Sequence, residues 1–386
     1  MPDSLLVDTS HLARDLAIHS VSSTIVDVPT VRKHKLSQTS VTAQNYVLVQ
    51  VRLASGAEGI GEAATLGGPR WSEESVEAMK ANIDAYLAPA LAGSRADQFE
   101  AAGKRMDDAA KRNNAAKAAV ETALFDAVGK TLGLPASALL GGAVRDSLPV
   151  LWTLASGDPA QEVEEAERKL DARLHRTFKV KIGALAPEAD MARMTHLARA
   201  LEGRADLIVD ANQAWDETVS ARCLPILKEL GIKLVEQPVP AWNVGGMARL
   251  RARPDTPPLL ADECVFDAHD MLQVGCAAAA DAISLKLVKH AGLLGVKRVA
   301  AVAEAAGIGL YGGCLLESSV GAAAHLQVFS TFREMAWGCE HFGPQILTGE
   351  YVTEPLRFAD FHIHLPTGPG IGVTLDHEKL RRYARQ

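Results

Sequence analysis

The sequence predicts an α/β protein in which a parallel (β/α) barrel of seven or eight units follows an α+β domain. From about Leu148, short apolar segments alternate with amphipathic helical segments at a repeat of roughly 25–30 residues, the length of one strand–helix unit in a parallel barrel. Before that point, from Val21, strand-like segments come first and helix-like segments follow, which is typical of an α+β domain.

The composition limits the classes of protein to which the chain can belong. Its 386 residues are 48% hydrophobic, enough for a large core in one big domain or two of moderate size. The net charge of −7, without a long basic stretch, argues against nucleic acid or an anionic membrane as a partner. No apolar run approaches the length of a membrane span, and none of the five cysteines forms a Cys-x-x-Cys pair. We therefore expect buried thiols in a cytoplasmic protein.

The first region reads as an extension over residues 1–19 and an α+β domain over 20–147. Strands are predicted from VSSTIVDVPTVR and NYVLVQVRLASGAEGIGEA, with a hairpin turn at Ala54-Ser55-Gly56. Three helical segments rich in Ala, Leu, Glu and Lys follow. The C-terminal segment, 354–386, is expected to return to this domain.

The barrel is predicted over residues 148–353. Its candidate strands are short and apolar, and they occupy 150–156, 178–183, 206–211, 232–237, 258–263, 282–287 and 308–313. The eighth strand is less regular, and EMAWGCE at 334–340 is the candidate. Amphipathic segments such as PEADMARMTHLARALEG fit between the strands as helices.

Charged residues stand where the candidate strands end, once in each repeat. They are Lys181, Asp210, Glu236, Asp262 and Lys286, with Glu317 just after the seventh strand. The C-terminal ends of the strands build the active site of a parallel barrel. We therefore expect these six side chains to face one another across one mouth.

The three acids of successive strands indicate a metal site. Asp210, Glu236 and Asp262 would repel one another if they met without a counter-charge. A hard divalent cation such as Mg²⁺ or Mn²⁺ prefers oxygen ligands and would relieve the repulsion. Each acid taken alone could instead cap the helix that follows its strand.

The segment FKVKIG carries two lysines on one face of a strand. Lys179 and Lys181 are two residues apart, so their side chains point the same way. Two ammonium groups would be costly in an apolar core, although lysines on an exposed edge strand are the alternative. Beside a cation and a second lysine, one amine can serve as a base near neutral pH. Lys286 would lie across the barrel and reach the opposite face of a substrate.

These motifs resemble the enolase superfamily over most of the chain, from about Val21 to Gln386. The pattern consists of Lys179-Val180-Lys181, acids in the next three strands and then Lys286. Local sequences such as Val209-Asp210-Ala211-Asn212 and Glu236-Gln237-Pro238 match as well. The lysine pattern resembles the muconate lactonizing subgroup, and within it the muconate and chloromuconate cycloisomerases.

The resemblance implies an enolase-like fold, with a capping domain built from the N-terminal region and the C-terminal tail, and a reaction in aromatic catabolism. A metal-dependent enzyme would interconvert cis,cis-muconate and muconolactone through an enolate, using Mn²⁺ or Mg²⁺ on Asp210, Glu236 and Asp262. Lys181 would protonate or deprotonate the α-carbon, and Lys179 would lower the pKa of Lys181. Lys286 would stabilise charge or act on the other face. Glu317 would orient a lysine or the substrate, or cap a helix.

The resemblance also implies a covered pocket for a small dicarboxylate. Loops at 36–43 and 65–71 would cover the substrate, with Leu66 and Trp71 as contacts. Chloromuconate enzymes often have a smaller residue in place of Leu66 and an aspartate in place of Glu317, which favours muconate. The segment Gly67-Gly68-Pro69-Arg70-Trp71 is more typical of the chloromuconate branch. The family further implies a homo-oligomer, either an octamer or a dimer.

Other members with the same lysines remain as alternatives. N-acylamino acid racemase and o-succinylbenzoate synthase share this pattern. Dipeptide epimerases usually carry Asp-x-Asp after the last strand, whereas this chain has Trp337-Gly338-Cys339-Glu340-His341. A non-catalytic barrel is the remaining alternative, and the lysines on both faces argue against it.

Overall fold

The computed structural model describes residues 15–35, 40–70 and 73–386. Trp71 and part of the loop at 36–43 therefore lie outside the described residues, as do residues 1–14. Within the described ranges, no helix is both long and apolar enough to cross a membrane.

The N-terminal domain, here called the cap, begins with a three-stranded antiparallel sheet. Its strands are β1 (Ile18–Lys35), β2 (Ser40–Leu53) and β3 (Glu58–Thr65), in that order. The hairpin turn at 54–56 joins β2 to β3 as predicted, and Gly56 adopts the left-handed φ of 87° that such a turn requires. Leu16 and Ile18 are buried in the cap core, so the predicted extension ends before them rather than at residue 19.

Helices cover one face of this sheet. They are α1 (Val76–Asn82), a π-helical segment (Ile83–Leu87), α2 (Ala88–Leu91), α3 (Phe99–Ala109), α4 (Asn114–Leu132) and α5 (Ala136–Leu139). Helix α4 is Ala-rich and almost wholly buried. It lies so close to β3 that a Cβ on Gly61 would collide with the carbonyl oxygen of Ala119. Small residues on both elements permit this approach.

The second region is a curled sheet of seven parallel strands, which confirms the predicted fold class. A short strand, β4 (Ser147–Pro149), leads into it. The parallel strands are β5 (Trp152–Leu154), β6 (Thr177–Lys181), β7 (Asp206–Asp210), β8 (Val235–Glu236), β9 (Leu259–Ala261), β10 (Ala282–Leu285) and β11 (Gly309–Gly312). Each strand pairs with the next one along the chain.

One helix follows each strand. These helices are α6 (Pro159–Asp171), α7 (Pro187–Ala200), α8 (Glu217–Glu229), α9 (Val244–Arg251), α10 (Ala268–Cys276), α11 (Leu293–Ala305) and α12 (Ser319–Phe329). The strands are almost entirely buried, because helices cover the outside of the sheet and side chains fill its inside.

The barrel closes through one residue instead of an eighth strand. Cys339 bridges Val150, next to the first parallel strand, and Gly312 in the last one. Its amide donates to the carbonyl of Pro149 at 2.9 Å, and its carbonyl accepts from the amide of Leu151 at 2.9 Å. The predicted strand at 334–340 is therefore wrong in extent. The chain turns just before the bridge, so only one residue has room to pair.

The C-terminal segment crosses from the barrel back to the cap. After α13 (Gly343–Ile346), strand β12 (Phe358–Ala359) pairs with β13 (His362–His364), which in turn pairs with β4. Helix α14 (His377–Tyr383) then lies against β1, where Ala384 bridges Val26. Arg385 pairs with Asp27 of β1 at 2.7 Å.

Candidate active site

The strand register brings the charged strand ends to one level of the barrel mouth. Lys181 of β6 is the register partner of Asp210 in β7, and Asp210 is the partner of Glu236 in β8. Glu236 is paired with Leu260, two residues before Asp262. All three carboxylates are buried. None of them caps the next helix, since Asp216, Asn243 and Asp267 occupy those N-cap positions.

Lys179 lies between two carboxylates in the floor of the mouth. Its ammonium group is 2.5 Å from Oε2 of Glu236 and also contacts the carboxylate of Glu340. The ring of Tyr311 lies beneath it, 4.7 Å from Nζ to the ring centre. Burial alone would lower the pKa of Lys179, but Glu236 and Glu340 outweigh it and hold that pKa well above the usual value.

Lys181 lies two residues further along β6, closer to the open mouth. Its Nζ donates to Oδ2 of Asp210 at 2.6 Å and to Oδ1 of Asn212 at 3.1 Å. Burial and the charge of Lys179 both lower the pKa of Lys181. The adjacent Asp210 carboxylate reverses the balance, so the pKa of Lys181 is raised and its amine is protonated.

Lys286 and Lys289 hold the third carboxylate from the far side. Lys286 donates to Oδ2 of Asp262 at 2.7 Å, and Lys289 donates to Oδ1 at 2.7 Å. Burial would raise the pKa of Asp262, but the two lysines outweigh it and hold that pKa well below the usual value. The sequence prediction missed Lys289, which lies in the turn after the strand rather than at a strand end.

The donor set fits a hard divalent cation. Asp210, Glu236 and Asp262 offer only oxygen ligands. Burial, followed by the repulsion of Asp210, raises the pKa of Glu236 well above its usual value, and Asp262 adds to this. Over the described part of the chain, their ligand atoms do not all lie within 4.8 Å of one another. Each carboxylate is instead held by a lysine, so a shared cation would compete with the lysines for these oxygens.

Glu317 lies behind Lys286, in the loop after β11. Both of its carboxylate oxygens accept from the amide of Leu315, at 2.9 and 3.0 Å. Burial raises the pKa of Glu317 to about 8. It does not cap helix α12, because Ser318 occupies the N-cap position. Nearby Leu316 has a left-handed φ of 59°, so this loop is strained.

Two histidines lie beside Glu317 without forming an open metal site. His341 Nε2 is 4.0 Å from Oε2 of Glu317. His325 uses both ring nitrogens, because Nδ1 lies 2.8 Å from the carbonyl of Gly321 and Nε2 accepts from the amide of Leu287 at 3.0 Å. With its lone pair engaged, His325 is not a ready ligand.

The cap fixes the carbonyl groups of the same loop. Gln44 Nε2, on β2, donates to the carbonyl of Leu315 at 2.6 Å. Tyr46, two residues further along β2, donates its hydroxyl to the carbonyl of Leu316 at 2.7 Å. The cap sheet therefore holds the strained segment that precedes Glu317.

A buried carboxylate of β3 completes this joint. Glu62 accepts from the amide of Ser318 at 3.0 Å, and the hydroxyls of Ser318 and Tyr351 also donate to it. Burial raises the pKa of Glu62 to about 7, although these donors oppose the shift. Glu350 lies next to it and accepts from the amide of Ser319. Burial likewise raises the pKa of Glu350, to about 8.

A cavity of about 520 Å³ opens between the barrel mouth and the cap. The barrel contributes Asp262, Lys286 and Leu315, and the cap contributes residues that include Arg112 and Asn114. Leu66 is buried but is not among the lining residues of this cavity. Trp71 lies outside the described residues.

Glu340 is the main site residue that sequence reasoning missed. It follows the one-residue closing bridge at Cys339, much as Glu236 ends its strand. Its Oε2 accepts from the hydroxyl of Tyr311 at 2.9 Å, and its Oε1 accepts from the amide of Cys314 at 2.8 Å. An acid once per repeat was the available signal, and the irregular eighth segment obscured it.

Comparisons with known proteins agree with this geometry. Residues 161–379 match the family model "Enolase C-terminal domain-like", and residues 20–141 match the N-terminal domain of mandelate racemase / muconate lactonizing enzyme. Muconate cycloisomerase 1 of Pseudomonas putida is 47% identical, over 96% of this chain and 99% of that protein. A chloromuconate cycloisomerase of Delftia acidovorans is 44% identical, over 96% and 100%.

A solved structure agrees over the same span. The muconate lactonizing enzyme of Pseudomonas fluorescens, complexed with muconolactone, superimposes with a TM-score of 0.94 at 45% identity. The match covers 96% of this chain and 100% of that chain.

Proposed function

Because this chain belongs to the mandelate racemase / muconate lactonizing enzyme family of the enolase superfamily, we propose that it is a metal-dependent muconate cycloisomerase. It would interconvert cis,cis-muconate and muconolactone. The names of its relatives support this proposal. The observation that carries it is the pair Lys179 and Lys181 on one strand, facing the carboxylates of the next two strands, with Lys286 on the far side.

Asp210, Glu236 and Asp262 are the residues that would hold Mg²⁺ or Mn²⁺. When bound, the cation supplies positive charge that stabilises negative charge developing on a substrate carboxylate. By taking oxygens from Lys181 and Lys286, it would also free these amines for the substrate.

Lys181 is the proposed acid and base. In the lactone-forming direction, one substrate carboxylate oxygen forms a C–O bond to the diene, and the electron pair moves toward the other carboxylate. Lys181 then donates a proton from its ammonium group to the adjacent α-carbon. The ordinary pKa of a lysine lies well above neutral pH, so the amine is protonated and ready for this step. In the reverse direction the neutral amine removes the same proton.

The remaining charged groups position Lys181 and the substrate and balance their charges. Lys179, held by Glu236 and Glu340, keeps positive charge beneath the substrate. This charge lowers the pKa of Lys181. Lys286 approaches from the strand across the mouth and stabilises charge on the other face. Glu317 supports that side by holding the loop amide of Leu315.

The substrate range is tested with muconate and its chlorinated derivatives, since relatives carry both names. With Mn²⁺, we expect the ultraviolet diene absorbance of cis,cis-muconate to disappear. Lys181→Ala should abolish turnover and leave metal binding nearly unchanged. No absorbance change at micromolar enzyme, together with turnover of an N-acyl amino acid, would reject the proposal. Faster turnover of a chloromuconate than of muconate would make the chloromuconate the proposed substrate instead.

Cellular context is also proposed. The scattered, unpaired cysteines support a cytoplasmic enzyme. Family resemblance supports a homo-oligomer, an octamer or a dimer, which light scattering on the purified protein would distinguish. A small dicarboxylate is the proposed partner, without nucleic acid or membrane.

A further inference from the structure

We propose that Arg112, on the cap side of the cavity, binds the substrate carboxylate that attacks the diene. This inference rests on the proposed function and deepens it, since it assigns a subsite for the second negative charge of a dicarboxylate. The metal carboxylates and the catalytic lysines serve the other end of such a substrate.

The charges lining the cavity point to this residue. Among the described residues, the charged lining consists of the cations Arg112, Lys286 and Lys289 and the acids Glu73, Glu74, Asp262 and Glu263. Lys286 and Lys289 both contact Asp262 at 2.7 Å, so they lie beside the metal carboxylates and serve the end of the substrate that the cation would bind. Arg112 has no hydrogen bond or ion pair with any residue in the described ranges. A guanidinium presents parallel N–H donors that match the two oxygens of a carboxylate. Arg112 is thus the cation of this wall that is available to an incoming anion.

The backbone at Arg112 is strained. Arg112 has a φ of 53° and Asn113 a φ of 55°, so two successive residues other than glycine adopt the left-handed conformation. Such strain persists only where surrounding contacts impose it, and it concentrates at functional sites.

Polar contacts impose this conformation from the cap side. Asn82 Nδ2 donates to Oδ1 of Asn113 at 2.7 Å, and Nδ2 of Asn113 donates to the carbonyl of Lys111 at 2.8 Å. The amide of Ala115, at the start of helix α4, donates to Oε1 of Glu74 at 2.8 Å.

A fourth contact fixes the segment to the barrel. Nδ2 of Asn114 donates to the carbonyl of Lys289 at 2.6 Å. The segment that carries Arg112 is therefore bound to the same turn whose lysine holds Asp262. The cap wall is therefore fixed to the barrel mouth, and the position of Arg112 relative to Lys286 and Lys289 is set by this contact.

The reaction makes the contact of Arg112 stronger with the substrate than with the product. The attacking carboxylate uses one oxygen for the new C–O bond, and its other oxygen becomes the lactone carbonyl. The negative charge at that end is lost, because the electron pair moves toward the other carboxylate. Arg112 therefore binds the dianionic substrate more tightly than the monoanionic lactone, and product leaves without breaking an ion pair at this subsite.

The test compares Arg112→Gln, Arg112→Lys and the matched control Lys111→Gln. Lys111 is the neighbouring cation; it is exposed and does not line the cavity. Its replacement by glutamine removes the same positive charge. For Arg112→Gln we expect the KM for muconate to rise about fivefold, because one charged contact of a solvent-exposed side chain is lost. The kcat and the inhibition constant of muconolactone should each stay within about twofold. Arg112→Lys should recover most of the loss, and Lys111→Gln should match the wild type.

Two results would overturn the assignment. The first is an unchanged KM in Arg112→Gln. The second is an equal rise in the KM of muconate and the inhibition constant of the lactone, since a merely structural role would produce it. If the wild type does not turn over muconate, the proposed function fails separately. Calorimetric titration with adipate then decides about the subsite: weaker binding by Arg112→Gln supports it, and equal binding refutes it.

Discussion

Replacing Glu62 by glutamine should change how the stability of the protein depends on pH. Glu62 is only 3% exposed and joins β3 of the cap to Ser318 at the start of helix α12. Burial raises its pKa from 4.5 to about 7, and the donors from Ser318 and Tyr351 only partly offset this shift. The unfolded chain has no such burial, so its carboxyl group ionises near the ordinary value.

The sign follows from the two pKa values. The folded state holds the proton more tightly than the unfolded state, so the contribution of Glu62 is fully present below pH 4.5 and is lost as the pH rises through about 7. Between pH 5 and pH 8, one such group removes about 2.5 kcal/mol from the free energy of unfolding. Glutamine does not ionise and should not show this loss.

Denaturant unfolding at pH 5 and pH 8 measures the effect. The wild type should lose about 2.5 kcal/mol more than Glu62→Gln over this interval. Glu229→Gln, an exposed change on helix α8, is the matched control and should lose as much as the wild type. Equal pH dependence in the wild type and Glu62→Gln would refute the reasoning, because it would show that Glu62 ionises alike in both states.

Three further predictions concern packing, the buried lysine and the metal. Lys179→Met should cost about 3–5 kcal/mol in denaturant unfolding, because Glu236 and Glu340 lose their buried counter-charge; an unchanged midpoint would contradict this. Gly61→Ala should lower the free energy of unfolding by about 1–3 kcal/mol, because the new methyl group collides with helix α4. Gly103→Ala, in open space on helix α3, should raise the free energy of unfolding by about 0.5–1 kcal/mol. Chelation should abolish lactonization and added Mn²⁺ should restore it; full activity in protein shown to be metal-free by elemental analysis would argue against the metal.

The fold could be predicted because its signals are local. Period-2 alternation, helical amphipathicity and the regular repeat length all lie within short windows of sequence. The observed strands fall inside or next to the predicted segments, for example Thr177–Lys181 against 178–183. The prediction of the eighth strand failed because barrel closure needs only the single bridge at Cys339, and one bridged residue leaves no periodic pattern to detect.

The site is a different case, because its partners are far apart in the chain. The strand ends predicted most of the charged residues at the mouth, but neither Glu340 nor Lys289, nor which lysine pairs with which acid. Lys179 pairs with Glu236 rather than with Asp210 of the adjacent strand, and also with Glu340, far along the chain. Lys289 reaches Asp262 from a turn. Such pairings depend on how the sheet curls, which no local window of sequence contains.

The joint between cap and barrel changes what the cap contributes to the reaction. A cap that only covered the substrate would touch the barrel at its rim. Here Gln44 and Tyr46 of the cap hold the carbonyls of the strained loop that carries Glu317 and borders the cavity beside Lys286. Movement of the cap sheet would therefore displace the wall next to Lys286 as well as open the pocket. It follows that substitutions in β2 should alter turnover even though β2 carries none of the proposed proton-transferring residues.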